Sequence, residues 1–333
     1  MKILITGGAG YIGSTIASAL LDNGHTPVIL DSMINGREEF VSGRIFYKGD
    51  IADGALLESI FADHPDIRHV VHCAALIVVP ESVEMPYEYY TENISKTMTM
   101  LRKLSGLGCA NVMFSSSASI QDDMPNFEVS ETTPLNPRSP YARTKYMGEM
   151  IIRDFCDAYD MRAVVFRYFN VIGADPQMRT GPYRKEPSAL LPKLIQVANA
   201  HDEVFNITGV NWETRDGTGI RDYFHVWDLA LAHVAALERF DSLFGASRFE
   251  VINLGSGNGV TVREFVECFE NVVGHKIKKT DTQPRFGDIA GAYTRIDKAT
   301  SLLGWKPQLG IEKAIADNLR WDRQWNADGN NWN

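Results

Sequence analysis

Residues 1–31, MKILITGGAGYIGSTIASALLDNGHTPVILD, leave few options for the fold. Lys2 to Thr6 is a short β-branched and apolar run without alternation, which suits a strand buried on both faces of a parallel sheet. Gly7, Gly8, Gly10 and Gly13 follow at once. Ile12, Ile16, Ala19 and Leu20 then recur at helical spacing, and Gly24 falls where a helix C-cap is expected. The glycines therefore lie between a strand and a helix. A helix N-terminus offers unpaired N–H groups and partial positive charge to a phosphate. Gly7, Gly10 and Gly13 let the backbone approach a pyrophosphate with no Cβ in the way. Thr26 to Leu30 is a second buried-type strand, and it ends in Asp31. An acid about 20 residues beyond the glycines can accept hydrogen bonds from the adenine ribose and would repel a 2′-phosphate. Asp31 thus points to NAD rather than NADP.

The chain of 333 residues can hold a large α/β unit with a smaller one. It is 44% hydrophobic and 23% charged, as soluble globular proteins are. A net charge of −9 and a pI near 5.4 argue against general affinity for nucleic acid or anionic membrane. An anionic substrate would need locally placed arginines. Cys73, Cys109, Cys156 and Cys268 lie far apart and suggest neither a disulfide framework nor a metal site. A strand beginning at Lys2 leaves no room for a signal peptide, and no apolar run is long enough to span a bilayer. The expectation is a cytoplasmic protein.

Strand and helix patterns alternate through the first half. Ile45–Tyr47 reads as a strand leading to Asp50 and Ile51, with a helix from about Asp53. Asp50 either contacts the adenine amino group or caps that helix. His69–His72 reads as the fourth strand, with His72 as a packed side chain. The small residues Cys73, Ala74 and Ala75 would let the chain pass close to a cofactor. Pro80–Pro86 reads as a loop, and Tyr87 to about Leu107 as a helix with a core or subunit-contact face. Asn111–Phe114 is a fifth strand ending in Ser115, Ser116 and Ser117, and Asp122–Pro140 is a long polar connection.

Tyr141 then opens a helix and places Lys145 four residues on, on the same face. The pair gains weight from its position after the fifth strand and the serines. A lysine ammonium and a positive nicotinamide ring would favour the phenolate and lower the tyrosine pKa from about 10. A phenol so tuned removes a proton from a sugar hydroxyl near neutral pH, with a serine orienting the same oxygen.

A sixth strand covers Ala163–Phe166. Beyond it, Asp175–Pro187 reads as a loop, Ala189–Ala200 as a helix and Phe205–Ile207 as a strand. Asp216–Tyr223 reads as a glycine-rich loop running into an apolar helix. Glu250–Leu254 is a strand, Val262–Val273 a helix, Gln283–Asp288 a loop, and Ala299–Trp325 helical, with a frayed polar end from Asn326. The fold class is α/β: a Rossmann-type doubly wound parallel sheet with a smaller mixed α/β C-terminal substrate domain. The expected division is a NAD-binding domain over 1–173, to which about 210–235 returns, and a mainly substrate-binding domain over 174–333.

The stretches TGGAGYIG, VILD, KGDI, PESVEMPYEYYTEN, FSSSAS, SPYARTK, RYFNVIGA and TRDGTGIRDYFHVWDLA resemble the extended short-chain dehydrogenase/reductase family, and within it the UDP-hexose 4-epimerase group. The resemblance covers Lys2 to about Trp321. It implies Ser117, Tyr141 and Lys145 as the catalytic trio. For NAD it implies the glycine turn with Tyr11 and Ile12, then Asp31, Ser32, Asn35, Asp50, Ile51, Cys73, Ala74, Ala75, Asn93, Ser115, Tyr141, Lys145 and Phe169. Around the UDP-sugar it implies Ser117, Tyr141, Asn170, Leu190, Arg221, Tyr223, Arg285, Asp288 and Ala292. Arg221 and Arg285 would bind the pyrophosphate, or else form surface ion pairs. No metal is implied, and a homodimer through the helices near Tyr87–Leu107 and Tyr141–Tyr159 is.

The implied activity is interconversion of UDP-galactose and UDP-glucose through a transient 4-keto sugar. Ile77, Gln121–Asp122 and Ala189 depart from the group's usual lysine, Tyr-Gly and asparagine. Ala292 replaces a bulky tyrosine found in members restricted to non-acetylated sugars, which implies UDP-GalNAc/UDP-GlcNAc turnover as well. Two other readings compete. A nucleotide-sugar dehydratase would carry Asp-Glu after the active-site serine, where this chain has Ser117-Ala-Ser-Ile. A non-enzymatic NAD-binding regulator would have little reason to keep Ser117, Tyr141 and Lys145 together.

Overall fold

The computed structural model describes residues 1–183, 189–200, 203–284 and 289–329. In chain order the first half comprises β1 (Lys2–Thr6), α1 (Tyr11–Asp22), β2 (Thr26–Asp31), β3 (Ile45–Lys48), α2 (Gly54–Asp63) and β4 (His69–His72). Next come α3 (Val79–Glu84), α4 (Pro86–Tyr90), a π turn over Thr91–Ser95, α5 (Lys96–Gly106), β5 (Asn111–Ser117), β6 (Glu128–Val129), α6 (Pro140–Ala158) and β7 (Arg162–Tyr168). The second half comprises β8 (Asn170–Ile172), α7 (Leu190–Asn199), β9 (Phe205–Thr208), β10 (Ile220–His225), α8 (Val226–Glu238) and β11 (Phe249–Leu254). It closes with β12 (Gly259–Thr261), α9 (Val262–Val273), β13 (Lys279–Thr282), β14 (Gly291–Thr294), α10 (Asp297–Leu303) and α11 (Ile311–Ala327).

Seven strands form one sheet in the order β11-β7-β5-β4-β1-β2-β3, and every pairing in it is parallel. Strand side chains alternate between faces, so both faces must be covered. Ile3 and Ile5 of β1 pack with Ile16 and Leu20 of α1 and Leu229 and Leu237 of α8. Leu4 points the other way, among Leu57 and Ile60 of α2, Leu101 and Leu104 of α5 and Ile152 of α6. This is the doubly wound arrangement, and it puts the strand ends Thr6, Asp31, His72, Ser117 and Tyr168 along one edge.

A second, five-stranded sheet joins β12, β10, β14 and β6, with β8 beside β10. It packs with α7, α9 and α11 around Leu194, Tyr223, Phe265, Phe269 and Ile315. The return to the main sheet extends past residue 235: α8 packs on α1, and β11 is the outermost strand beside β7.

Four local expectations change. Pro80–Pro86 is not a loop: α3 and α4 occupy it, each with a proline in its first turn, where the missing N–H costs nothing. Ile220–His225 is strand β10, not loop. Its Asp222 is buried because Ser256, Gly257 and Thr294 bind its carboxylate. The C-terminal helical stretch is two helices, parted where Gly304 takes φ +63°. The polar connection after the serines contains β6, which pairs with β14.

Candidate functional site

A cavity of about 1230 Å³ runs along the C-terminal edge of the main sheet and into the second unit. At its floor is the glycine turn. Gly7 has φ +70°, and a Cβ there would lie 2.6 Å from the amide nitrogen of Ala74. The exits of β1 and β4 are pressed together, which leaves no room for a side chain at position 7. A Cβ on Gly13 would sit 2.3 Å from the carbonyl oxygen of Gly7. Gly10 caps α1 with no side-chain bond and no acid in the first turn, so the helix N-terminus is left to an incoming anion. These gaps fit a dinucleotide pyrophosphate. Gly13→Ala is therefore expected to weaken NAD retention at least tenfold, read as the NAD content of purified protein.

Asp31 ends β2 almost fully buried. One carboxylate oxygen accepts from the Ala9 amide at 3.0 Å and the other from the Met33 amide at 2.8 Å. Burial raises its pKa from the ordinary carboxylate value, and these two amides work against that. Each oxygen keeps a lone pair for a ribose hydroxyl. Ser32 and Asn35 line the same end, as do Asp50 and Ile51. The capping role falls to Asp53, whose carboxylate accepts from Ala55 and Leu56. Asp50 instead faces the cavity and pairs with Lys96 at 2.5 Å.

The catalytic candidates meet where β5 and α6 converge. Ser117 is the last residue of β5; its hydroxyl lies 2.9 Å from that of Ser119 and accepts from the Ser119 amide, and it lines the cavity together with Tyr141. Ser139 caps α6 through the Ala142 amide and Pro140 opens its first turn, which brings Tyr141 to the cavity wall. Lys145, one turn on and 4% exposed, donates to the Ser115 carbonyl at 2.8 Å. Its ammonium lies 5.9 Å from the centre of the Tyr141 ring.

Burial holds the Tyr141 phenol above its usual value, and the nearby Ser117 hydroxyl pulls it down. Burial lowers the Lys145 pKa to about 8, which leaves it charged at neutral pH with its ammonium on the Ser115 carbonyl.

On the substrate side Phe169, Asn170, Leu190, Arg221 and Tyr223 line the cavity. The Arg221 guanidinium is fixed by the carbonyls of Ile220, Ala290 and Ile289, at 2.7, 2.7 and 3.2 Å. Such a fork is oriented before any phosphate arrives. Arg285 and Asp288 lie outside the described residues. Tyr11 lines the cavity and donates to the Gly173 carbonyl at 2.5 Å.

Two named residues are placed elsewhere. Asn93 sits in the π turn, off the cavity wall. Its amide group donates to the Leu76 carbonyl and Thr144 hydroxyl and accepts from the Leu76 amide. It fixes the segment after β4, which itself lines the cavity. Ala292 is half-buried in β14, next to Arg221 in the parallel β10–β14 pair, rather than on the wall. Tyr168, Tyr183 and Trp212 line the cavity without having been singled out. Only Tyr168 had a local signal, since it directly precedes Phe169 and Asn170.

A family model described as the NAD dependent epimerase/dehydratase family matches residues 3–255. The UDP-glucose 4-epimerase of Bacillus subtilis (strain 168) is 38% identical over 331 residues, spanning 96% of this chain and 96% of that protein. Among solved structures, the UDP-glucose-4-epimerase of Stenotrophomonas maltophila with bound NAD and formylated UDP-arabinopyranose superposes with a TM-score of 0.92. It is 34% identical and covers 98% of this chain and 99% of its own. The UDP-Glc/GlcNAc 4-epimerase of Campylobacter jejuni gives a TM-score of 0.83 at 31% identity, covering 97% and 99%. With the glycine turn, the buried Asp31 and the Ser117–Tyr141–Lys145 group converging on one cavity, the chain belongs to the NAD dependent epimerase/dehydratase family.

Proposed function

We propose that this protein interconverts UDP-galactose and UDP-glucose with bound NAD, and the corresponding UDP-GalNAc and UDP-GlcNAc pair. The observation that carries the reading is a single cavity joining a phosphate-binding glycine turn, a Ser–Tyr–Lys group and an oriented arginine. When bound, NAD would supply a reversible two-electron acceptor for the sugar C4. The Tyr141 hydroxyl takes the proton of the sugar 4-hydroxyl and later returns it, while Ser117 orients that oxygen. Lys145 holds the end of β5 through the Ser115 carbonyl, so the two hydroxyls keep their spacing. Arg221, beside Tyr223, binds the pyrophosphate of the nucleotide. Binding energy belongs on UDP, remote from C4, because the sugar has to present both faces.

The test is direct. Purified protein incubated with UDP-galactose and no added cofactor is expected to form UDP-glucose. Protein that carries NAD yet turns over no UDP-hexose would instead support a regulator.

The neighbour from Campylobacter jejuni, with its Glc/GlcNAc specificity, supports the broader substrate range, as does the small side chain of Ala292 beside Arg221. Ala292→Tyr is expected to cut kcat/KM for UDP-GalNAc at least tenfold and to leave UDP-galactose within about threefold. Equal losses on both sugars would remove the size argument.

The NAD-binding role of 1–173 and the UDP-sugar role of 174–333 belong to the same proposal, with α8 and β11 serving the first. So does a homodimer, supported by exposed Val83, Tyr87, Met98 and Met150 on α3 to α6 and Tyr159 just past α6. Among the described residues no helix is long and apolar enough to cross a membrane. The four cysteines are unpaired, which suits a reducing cytoplasm.

A further inference from the structure

The proton and phosphate chemistry leaves unused a charged pair at the adenine end of the cavity, Lys96 and Glu92. Lys96 opens α5, directly after the π turn over Thr91–Ser95. Its ammonium lies 2.5 Å from Oδ2 of Asp50 and 2.6 Å from Oε1 of Glu92, four residues back. One nitrogen thus joins two carboxylates carried by different elements, the exit of β3 and the π turn. Asp50 and Glu92 both line the cavity.

The Asp50 carboxylate is thereby held at both oxygens. Oδ1 accepts from the Ala52 amide at 2.8 Å, and Oδ2 accepts from Lys96. It has no capping duty, because Asp53 caps α2. Each oxygen keeps a lone pair, and the carboxylate plane cannot turn without breaking one of these bonds. The next amide, that of Ile51, meets no acceptor among the described residues, and Ile51 also lines the cavity. An acceptor beside a donor matches the N6 amino group and N1 of an adenine. A 6-oxo purine reverses both: its O6 faces the carboxylate and its N1–H faces the amide.

We propose that Lys96, steadied by Glu92, is a positioning residue that makes Asp50 select a 6-amino purine over a 6-oxo purine in the dinucleotide. This rests on the NAD reading and deepens it, at the end of the cofactor away from the chemistry. All three side chains are partly exposed, and ion pairs of that kind add little stability. The role of Lys96 is therefore orientation. It aims the Asp50 lone pairs at the base and keeps two neighbouring carboxylates from repelling each other. Without the ammonium, Asp50 swings off the direction of the base, and only the Ile51 amide still discriminates.

The experiment is competition between NAD and nicotinamide hypoxanthine dinucleotide. Full-length protein is stripped of dinucleotide and reloaded from an equimolar mixture, and the bound fraction is resolved by chromatography. The wild type is expected to favour NAD at least tenfold, the usual cost of a mismatched hydrogen-bonding group. Lys96→Met keeps an unbranched side chain and removes the charge. The preference is then expected to fall to about threefold or less, mainly through weaker binding of NAD. Asp50→Asn removes the carboxylate that Lys96 aims, so on that background Lys96→Met is expected to leave the ratio unchanged.

A purely structural role for Lys96 at the start of α5 would weaken both dinucleotides together and leave their ratio at the wild-type value. That result overturns the proposal. So does a wild type that takes both equally, or a Lys96→Met effect on the ratio that persists in Asp50→Asn. A wild type that binds neither dinucleotide refutes the NAD reading itself, which is a different result.

Discussion

Tyr141→Phe is expected to lower kcat for UDP-galactose by about 10²- to 10⁴-fold, the range that positioned acid–base groups supply. KM and bound NAD should change little. The substitution removes one oxygen and keeps the ring, so the packing of the Tyr141 ring beside Lys145 is preserved. What disappears is the atom that takes the 4-hydroxyl proton. Because burial raises the phenol pKa, the protonated form is the resting one, and a positive charge brought close to it would aid the reaction. Ser117→Ala should cost less, since it removes orientation and a single hydrogen bond. Steady-state rates for both variants, normalised to bound NAD, give the comparison. If the phenylalanine variant stays within tenfold of wild type, the proton passes elsewhere.

The parts of the site that sequence made legible are those whose chemistry needs consecutive or helically spaced residues. Gly7 and Gly13 had to be glycine because backbone packs on backbone there. Asp31 had to follow a buried strand, and Tyr141 and Lys145 had to share a helix face. The seven-stranded sheet was legible for the same reason: strands buried on both faces lose their polar alternation. Strand β10 was hidden because its buried Asp222 looks like a loop residue until Ser256, Gly257 and Thr294 are brought to it from 34 to 72 residues away. Helix α3 was hidden by Pro80, which breaks a helix interior but suits its first turn. The groups that hold the catalytic residues in place were not legible at all. Asn93 reaches Leu76 and Thr144, and Tyr168 reaches His233, across separations of 17, 51 and 65 residues. No local period marks such partners.

The least visible of these supports should carry the largest stability effect. Glu149 of α6 and Arg167 of β7 form a two-pronged ion pair at 3.0 and 2.7 Å, each side chain only 5% exposed. The same carboxylate accepts from the Ser116 hydroxyl at 2.6 Å. Desolvating both charges is costly, and the geometry offsets that cost only while every partner is present. Glu149→Ala would strand Arg167 in the interior and is expected to destabilise the fold by about 3–5 kcal/mol. The melting temperature should fall by on the order of 10 °C. Replacing both partners by methionine removes the charges together and should recover most of the loss. Activity should fall in the single variant even well below its melting point, because Ser116 lies between Ser115 and Ser117 and Glu149 is one turn from Lys145. A loss under about 1 kcal/mol would place this pair with exposed salt bridges, which contribute that little. The spacing of the catalytic hydroxyls would then have to be held by the Lys145–Ser115 contact alone.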